Sequence, residues 1–301
     1  MTGLQALSRD VADLVARAAP AVLGVEQGGG QGSGVVIAPD GWVLTNAHVA
    51  RGRGPVRVRL SGARVVAAER AGADDRTDVA VLRVDARDLP ALALSERRLS
   101  VGELVVAIGN PLGFERSVTV GVVSALHRNL AAPRGAVLEG LVQTDASINP
   151  GNSGGPLLDA GGAVVGLSTA MLPWAHGIGF AVPAHTAAWV ASVLMREGEV
   201  RRPFLGIAAR GEDLEPRDAA LAGHGRGVRV LEVVEGAPAG RAALRPGDLL
   251  VAASGSPVQT LDDLQRVLVL ARAGEIDLQV LRAGRPLRLS IRPDPPRAAA
   301  A

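Results

Sequence analysis

Short apolar runs separated by Gly, Pro and Asp fill residues 32–183, and this spacing limits the chain to a narrow set of folds. Runs such as GWVLTN, DVAVLRV and LVVAIGN have the length of β-strands and are bounded by turn residues. No helical pattern of about ten residues or more alternates with them, so a parallel α/β sheet is disfavoured. The pattern predicts a mainly β fold, in the form of an all-β barrel or sandwich.

Helical patterns flank this β region. Residues 4–18 carry apolar side chains every three or four positions, which predicts an amphipathic helix that ends before Pro20. Residues 184–196 predict a second helix that closes near Gly198. The segment EGEVRRP that follows is typical of a linker.

A second unit begins at about Phe204. It contains strand-like runs at FLGIAA, GVRVLEVVE, IDLQVLR and PLRLSIR, and a helix that starts with a Thr-x-x-Asp capping box at Thr260 and Asp263. The tail PDPPRAAAA is predicted to be disordered. We therefore predict an N-terminal helix, a large β domain, a linker, an α+β domain and a tail, at residues 1–19, 20–197, 198–203, 204–293 and 294–301.

The charge balance argues against nucleic acid as a partner. The chain has 32 Lys and Arg against 30 Asp and Glu, a net charge of +2. Its high isoelectric point arises because it contains no Lys, Tyr or Cys, so few groups titrate between His and Arg and a small excess of Arg raises it. Basic residues form no long run, and we predict no nucleic-acid binding.

The missing residue types also restrict the chemistry. Without Cys there is no thiol nucleophile, disulfide or Cys-ligated zinc, and without Lys there is no Ser–Lys dyad or Schiff base. The 5 His residues form neither an HExxH motif nor a short-spaced pair. We therefore predict no metal and no cofactor, and covalent catalysis would have to use Ser, Thr, His or a carboxylate.

The N-terminal segment does not resemble an export signal. Residues 1–25 contain acidic side chains and are interrupted by Arg17 and Pro20, whereas a secretory signal has a basic start and a continuous apolar stretch. No apolar run approaches the ~18 residues of a membrane span. The sequence as written predicts no export signal and no membrane span, hence a cytoplasmic chain, and leaves the true compartment open.

The segment GNSGGP, residues 151–156, carries the strongest local indication of chemistry. A nucleophilic serine needs a tight turn that presents its hydroxyl and unpaired N–H groups directed at the developing oxyanion. Glycines around Ser153 permit that geometry, with Gly151 and Ser153 as N–H donors and Asn152 holding the turn. An ordinary Gly-rich hairpin is the structural alternative.

Two further residues complete a candidate triad. His48 follows an apolar strand in LTNAHVA, and Asp78 begins another in DRTDVAVL. Either could be purely structural, because a lone His near a strand end or an Asp at a strand start is common. The order His, Asp, Ser along the chain is that of chymotrypsin-type enzymes.

The same GNSGG segment matches the G-x-S-x-G elbow of α/β-hydrolases. That elbow requires a helix directly after the serine, whereas GGPLLDAGG predicts a strand and a turn. It also places its acid and histidine after the serine, whereas the candidates here precede it. An esterase of that class is therefore disfavoured.

Several segments together resemble the HtrA (DegP-like) family of serine proteases over almost the whole chain. They are LTNAHV, DRTDVAVLRVD, VGELVVAIGNPLGF, SVTVGVVSAL, QTDASINPGNSGGPLLD and GIGFAVP. The resemblance implies two antiparallel six-stranded β-barrels of the trypsin-like fold, followed by an α+β PDZ domain. The catalytic triad, His48, Asp78 and Ser153, would lie in the cleft between the barrels.

The primary substrate pocket differs from that of trypsin. Ser147 stands where trypsin keeps a carboxylate, so selectivity for Arg or Lys is not expected. By resemblance, Ile148, Ser168, Thr169 and Ile178 would line this pocket and favour Val, Leu or Ala, although core packing explains the Ile residues equally well. Asn152 replaces the Asp that pairs with a new N-terminus in trypsin-like zymogens, which argues against that activation.

The segment RPFLGI resembles the carboxylate-binding loop of PDZ domains in this family. By resemblance, the backbone N–H groups of Leu205, Gly206 and Ile207 would hold a peptide's C-terminal carboxylate, and the next strand would pair with the peptide. Phe204 would also belong to the peptide-binding residues. Leu264 and Leu268, one turn apart, would wall the groove. Core packing is the alternative for each apolar residue.

The resemblance implies an ATP-independent serine endopeptidase of protein quality control. Its partners would be unfolded or misfolded proteins and peptide C-termini. The alternative is a chaperone-like peptide-binding protein with low or latent protease activity. Family members commonly form homotrimers through N-terminal aromatic residues, but residues 1–41 contain no Phe, Tyr or Trp. The family usually works outside the cytoplasm.

Overall fold

The computed structural model describes residues 2–52, 54–60, 64–110, 117–131, 137–171, 177–272 and 274–296. The chain divides into two compact units, Met1–Val200 and Arg201–Ala301. Strands dominate both units, which confirms the predicted mainly β fold.

The chain opens with helix α1, Gly3–Ala18, followed by a 3-10 turn, Ala19–Ala21. Thr2 and Gln5 form a capping box, in which each side chain accepts the other residue's backbone N–H. Near the C-terminal end of the helix, Leu14 and Ala18 are buried. Proline cannot continue the helical hydrogen bonding, which explains why the helix stops here.

The first six strands close into a barrel in the order β1-β2-β3-β6-β5-β4. Its apolar core includes Leu23, Val36, Val43 and Leu82. Alternation along β4, where Val56 and Val58 are buried, follows from the period of two in a strand. The strands are Val22–Gln27 (β1), Gly30–Ala38 (β2), Trp42–Thr45 (β3), Val56–Arg59 (β4), Val65–Asp74 (β5) and Val79–Val84 (β6).

The next six strands close into a second barrel, β10-β11-β12-β9-β8-β7, with the same topology as the first. Its core includes Val105, Val142, Leu157 and Val165. Two closed six-stranded barrels are thus confirmed. The strands are Leu104–Gly109 (β7), Ser117–Ala131 (β8), Val137–Thr144 (β9), Pro156–Asp159 (β10), Val164–Met171 (β11) and Gly179–Pro183 (β12).

Helix α2, Ala184–Glu197, packs on strands of both barrels, β5 and β6 of the first and β11 and β12 of the second. It ends at Gly198 in the left-handed conformation (φ 76°), a common helix C-cap. The helix covers β6, so that strand is almost entirely buried. This explains why its first four residues, VAVL, form a continuous apolar run rather than an alternating one.

The second unit is a five-strand path, β13-β14-β15-β17-β18, with β16 added beside β15. Helix α5 begins at the predicted Thr260–Asp263 capping box. Helix α3 was not predicted, because its seven residues are too few to show a period. The elements are Ile207–Asp213 (β13), Pro216–Ala222 (α3), Arg226–Val233 (β14), Pro238–Arg241 (α4), Leu249–Ala253 (β15), Ser256–Pro257 (β16), Leu261–Leu270 (α5), Ile276–Arg282 (β17) and Arg285–Ile291 (β18).

The predicted disordered tail requires a correction at its first residue. Asp294 exchanges two backbone hydrogen bonds with Phe204, at 2.9 and 3.0 Å. Its carboxylate also accepts from Arg241 at 2.7 Å. These three bonds hold Asp294 against the start of the second unit, whereas tail residues 297–301 lie outside the described residues.

Candidate active site

Neighbouring strands of the first barrel bring His48 and Asp78 together. His48 lies in the turn after β3, and Asp78 directly precedes β6, which pairs with β3. The Nδ1 atom of His48 lies 2.8 Å from Oδ2 and 3.0 Å from Oδ1 of Asp78. The His48 backbone N–H also donates to Oδ1, at 3.0 Å. The carboxylate therefore fixes both the ring and the backbone of the histidine.

Asp78 has an unusual backbone for a non-glycine residue, with φ 57°. Residues outside glycine seldom adopt this left-handed region, and strain of this kind often accompanies functional sites. Asn46 donates its side-chain N–H to the Asp78 carbonyl at 2.9 Å, which supports the turn. Thr169, from the second barrel, donates its hydroxyl to Oδ2 of Asp78. Donors from both barrels therefore surround this buried carboxylate.

The Ser153 loop leaves two N–H groups open. Gly151 and Gly154 have φ of 100° and 84°, which favour glycine. The amides of Asn152, Gly154 and Gly155 donate to backbone carbonyls at 2.8–2.9 Å. By contrast, the amides of Gly151 and Ser153 make no hydrogen bond to any described residue. These are the two donors expected of an oxyanion hole.

The hydroxyl of Ser153 faces Thr169. Its Oγ donates to the Thr169 carbonyl at 3.1 Å, and no hydrogen bond joins it to His48 among the described residues. Thr169 therefore touches both ends of the candidate triad, because its own hydroxyl reaches Asp78. Catalytic hydrogen bonds are often long or misaligned in the absence of substrate, and a rotation of one side-chain torsion would redirect the Ser153 hydroxyl.

The predicted peptide-binding loop of the second unit also has free amides. The N–H groups of Leu205 and Gly206 make no hydrogen bond to any residue described, whereas their carbonyls accept from Ala239 and Val234 at 2.9 and 2.8 Å. Gly206 has φ 77°. The adjacent strand β13 is at the edge of its sheet, with one side unpaired. An extended peptide could pair with such an edge.

Comparison with known proteins decides the family. The trypsin-like peptidase domain matches residues 32–167, and the PDZ domain matches residues 203–292. A putative serine protease HhoB from a Synechocystis species is 41% identical over 88% of this chain and 67% of that protein. The chain belongs to the HtrA family of serine proteases. It is an HtrA-type serine endopeptidase with one PDZ domain, which confirms the predicted family and enzyme class.

Other relatives of this HtrA protease agree. A probable periplasmic serine endoprotease DegP-like from Pseudomonas savastanoi pv. phaseolicola is 39% identical over 86% of this chain, which spans 55% of that relative. The solved HtrA-type protease AlgW with tripeptide is 35% identical, with 95% of this chain and 97% of that one covered and a TM-score of 0.74. The solved serine endoprotease from Yersinia pestis is 31% identical, with 95% of this chain and 98% of that one covered and a TM-score of 0.66.

The four predicted pocket residues have different surroundings. Ile148, 5% exposed, packs in the apolar core of the second barrel, and Ile178 is half-buried. Ser168 is buried, and its backbone exchanges hydrogen bonds with Gly154 and Gly155 at 2.8 and 2.9 Å. Thr169 is also buried, with its hydroxyl on Asp78. Core packing, the alternative role, therefore describes Ile148 well. A role in the substrate pocket stays a prediction for all four residues.

The predicted groove residues of the PDZ domain also belong largely to its core. Leu205, Leu264 and Leu268 are at most 5% exposed and lie in one apolar cluster. Ile207 packs against this cluster, and Phe204 is half-buried beside Asp294. Their part in peptide binding stays a prediction, carried mainly by the free amides and the open strand edge.

Some residues of the site had no assigned role in the sequence analysis. Asn46 supports Asp78, and Arg51, three residues after His48, pairs with Asp75. The hydrogen bond with Asp75 raises the pKa of the Arg51 guanidinium above its usual value. The only sequence indication of Asn46 is its place in the TNAH segment.

The described part of this HtrA protease offers neither a metal-binding cluster nor a membrane-spanning helix. Among the described residues, no group of three or more His, Asp or Glu could hold a metal ion. None of the helices described is long and apolar enough to cross a membrane.

Proposed function

We propose that this HtrA protease cleaves unfolded or misfolded proteins, without ATP, through an acyl-enzyme formed on Ser153, and that its PDZ domain binds peptide C-termini. The observation that carries the proposal is the pairing of His48 with Asp78 at 2.8 Å, together with the Thr169 hydroxyl that ties this carboxylate to the second barrel. The second barrel also carries Ser153, so the three candidate residues come from both barrels. The open amides of Gly151 and Ser153 add the two N–H donors that would stabilise an oxyanion.

The proposed reaction follows from these groups. Ser153 Oγ attacks the scissile carbonyl carbon while His48 Nε2 takes its proton, and Asp78 keeps the remaining ring proton on Nδ1. The amides of Gly151 and Ser153 stabilise the oxyanion. His48 then passes its proton to the amine of the cleaved bond. The amine departs, and the acyl group stays bound to Ser153. Water, deprotonated by His48, releases the acid and restores the serine.

Unfolded substrates suit a site of this kind because only an extended chain can reach a cleft between two barrels. The residue at the cleaved bond is proposed to be a medium aliphatic one, since Ile148 and Ile178 offer apolar walls and no carboxylate is expected to select a cation. At Gly179, a β-carbon would lie 2.5 Å from Ile148 Cγ1, so glycine at this position leaves room for the Ile148 side chain. A homotrimer stays a prediction from family resemblance.

One observation favours the second candidate, a chaperone-like peptide-binding protein with latent protease activity. The Ser153 hydroxyl donates to the Thr169 carbonyl, an orientation in which its proton is not directed at His48. If this orientation persisted with substrate bound, the serine would be a poor nucleophile. Active-site labelling separates the two candidates.

A fluorophosphonate probe is expected to label the native protein at Ser153 alone, because only an activated serine attacks such a phosphorus centre. Mass spectrometry of the digested protein would locate the adduct. Heat-unfolded protein, in which the triad is dispersed, is the control and should stay unlabelled. Absence of labelling in the native protein would favour the chaperone-like alternative, and an adduct on another serine would contradict the site.

Replacing Gly206 by Ala is expected to weaken binding of a peptide with a free C-terminal carboxylate at least ~10-fold. The added β-carbon would overlap Ala237 Cβ, and φ 77° is strained for alanine. Fluorescence anisotropy with a labelled peptide measures the effect, and an amidated peptide tests the carboxylate. Gly225→Ala is a matched control, since its β-carbon meets nothing within 4 Å. Equal binding by both variants would contradict the proposed loop.

A further inference from the structure

We infer that Ser33 is a positioning residue for the oxyanion hole, acting on the Ser153 loop from the opposite barrel. The inference rests on the proposed function of Ser153. Ser33 lies on β2 of the first barrel, inside the GSGVV run, where it pairs with Gly24 of β1. It is completely buried.

All three polar groups of Ser33 are used. Its hydroxyl donates to the Gly151 carbonyl at 2.6 Å and accepts the Asn110 amide at 2.8 Å. Its own N–H donates to the Ser153 carbonyl at 2.7 Å. Its carbonyl accepts the Thr45 hydroxyl, also at 2.7 Å, which ties this position back to the first barrel. One serine thus connects the first barrel to two points of the nucleophile loop.

These two points lie on either side of the catalytic amide. The Ser153 N–H belongs to the peptide between Asn152 and Ser153, and Ser33 holds the carbonyls of Gly151 and Ser153 that bracket it. Gly151 has φ 100° and no side chain, so by itself it could rotate and turn its peptide groups away. The Ser33 hydroxyl is the group that fixes the Gly151 carbonyl, and the oxyanion amides are thereby pre-organised.

The Ser153 loop packs closely against β2. A β-carbon at Gly154 would overlap the Ser33 carbonyl, and one at Gly155 would lie 3.2 Å from Ser33 Cβ. The loop and β2 are therefore in direct contact. Alanine at position 33 would keep the backbone bond to Ser153 but leave the Gly151 carbonyl and the Asn110 amide without their buried partner.

Ser33→Ala is expected to lower kcat for a peptide substrate about 10- to 100-fold, with KM changed less than about twofold, because the lost support acts on the transition state. Affinity for a peptide boronate, a transition-state analogue, should fall by a similar factor. Peptide binding to the same variant made with Ser153→Ala should stay unchanged. If Ser33 had a purely structural role, its loss would alter kcat, boronate affinity and peptide binding together.

Thr144→Ala is the matched control. Thr144 is equally buried, and its hydroxyl also donates to a carbonyl, Val122 at 2.8 Å, and accepts an amide, Ala146 at 3.1 Å. It should cost similar stability and leave kcat nearly unchanged. Amide exchange of residues 149–155 adds a readout independent of activity, and it should accelerate in Ser33→Ala but not in Thr144→Ala.

The outcomes separate the two proposals. A wild-type protein that neither hydrolyses peptides nor accepts the fluorophosphonate would refute the proposed function, and exchange in residues 149–155 would still decide the role of Ser33. A wild-type protein that is active, with Ser33→Ala retaining kcat within about threefold, would overturn the positioning role alone. So would equal acceleration of exchange, or an equal loss of kcat, in both variants.

Discussion

Ser153→Ala is expected to lower kcat for casein and for a peptide with Val or Ala at the cleaved bond by about a million-fold, because the residues of a triad act as one unit. In the proposed reaction, the hydroxyl is the group of Ser153 that forms the acyl-enzyme. Among the described residues it makes one hydrogen bond, to the Thr169 carbonyl at 3.1 Å, which contributes little to the fold. The variant should therefore unfold at nearly the wild-type temperature and still bind substrate.

Ser192→Ala is the control for this substitution. The Ser192 hydroxyl likewise donates to a single carbonyl, that of Trp189 at 2.8 Å, in the same unit of the chain. Its removal should leave proteolysis unchanged. Persistent casein cleavage by purified Ser153→Ala would contradict the nucleophile assignment. Loss of activity together with loss of cooperative unfolding would point to a damaged fold instead, which thermal unfolding would reveal.

Sequence patterns were sufficient to predict strands but not their closure. Strand lengths and turn residues mark β2 to β12, because a strand buries alternate or all side chains over a short run. The apolar runs begin at residue 32, so β1, Val22–Gln27, was not among the predicted strands. Whether such strands form a barrel or a sandwich depends on pairs such as β1 with β4 and β7 with β10. No local feature of the paired strands encodes these pairs, so the closed barrels were expected only from family resemblance.

The repeated barrel was also invisible in the sequence. Both barrels have the same strand order, yet no repeated motif was found along the chain. A barrel needs only inward apolar side chains and turns at suitable places, and many sequences satisfy this. The repeat therefore survives in the strand order and not as a sequence motif.

In the candidate site, residues with a distinctive local setting were predictable and their supporting partners were not. Ser153 stands in a Gly-rich turn, and His48 and Asp78 adjoin apolar strands in a known order. Thr169 and Ser33 are ordinary hydroxyl residues, and their contacts with Asp78 and Gly151 span 91 and 118 positions of the chain. Only the packing of one barrel against the other assigns them a role.

Asp78→Asn is expected to lower kcat about 10,000-fold while leaving the overall fold intact. The carboxylate now accepts from the His48 ring, from the His48 N–H and from the Thr169 hydroxyl. An asparagine has one acceptor oxygen and one NH₂ group. If the amide oxygen takes the place of Oδ1 and keeps the His48 N–H, the NH₂ takes the place of Oδ2, where it faces Nδ1 and the Thr169 hydroxyl and forces the ring proton onto Nε2. That tautomer cannot take the Ser153 proton.

Asp75→Asn distinguishes the hydrogen bond from the charge. Asp75 is exposed and pairs with Arg51, so its loss removes one negative charge near the triad without touching the His48 ring. Its kcat should stay within about threefold of wild type, since exposed ion pairs contribute little and are screened. Labelling by the fluorophosphonate should slow in Asp78→Asn roughly as kcat does, because both need the Ser153 proton to leave. A large loss in both variants would mean that local charge, and not the tautomer of His48, is what Asp78 supplies.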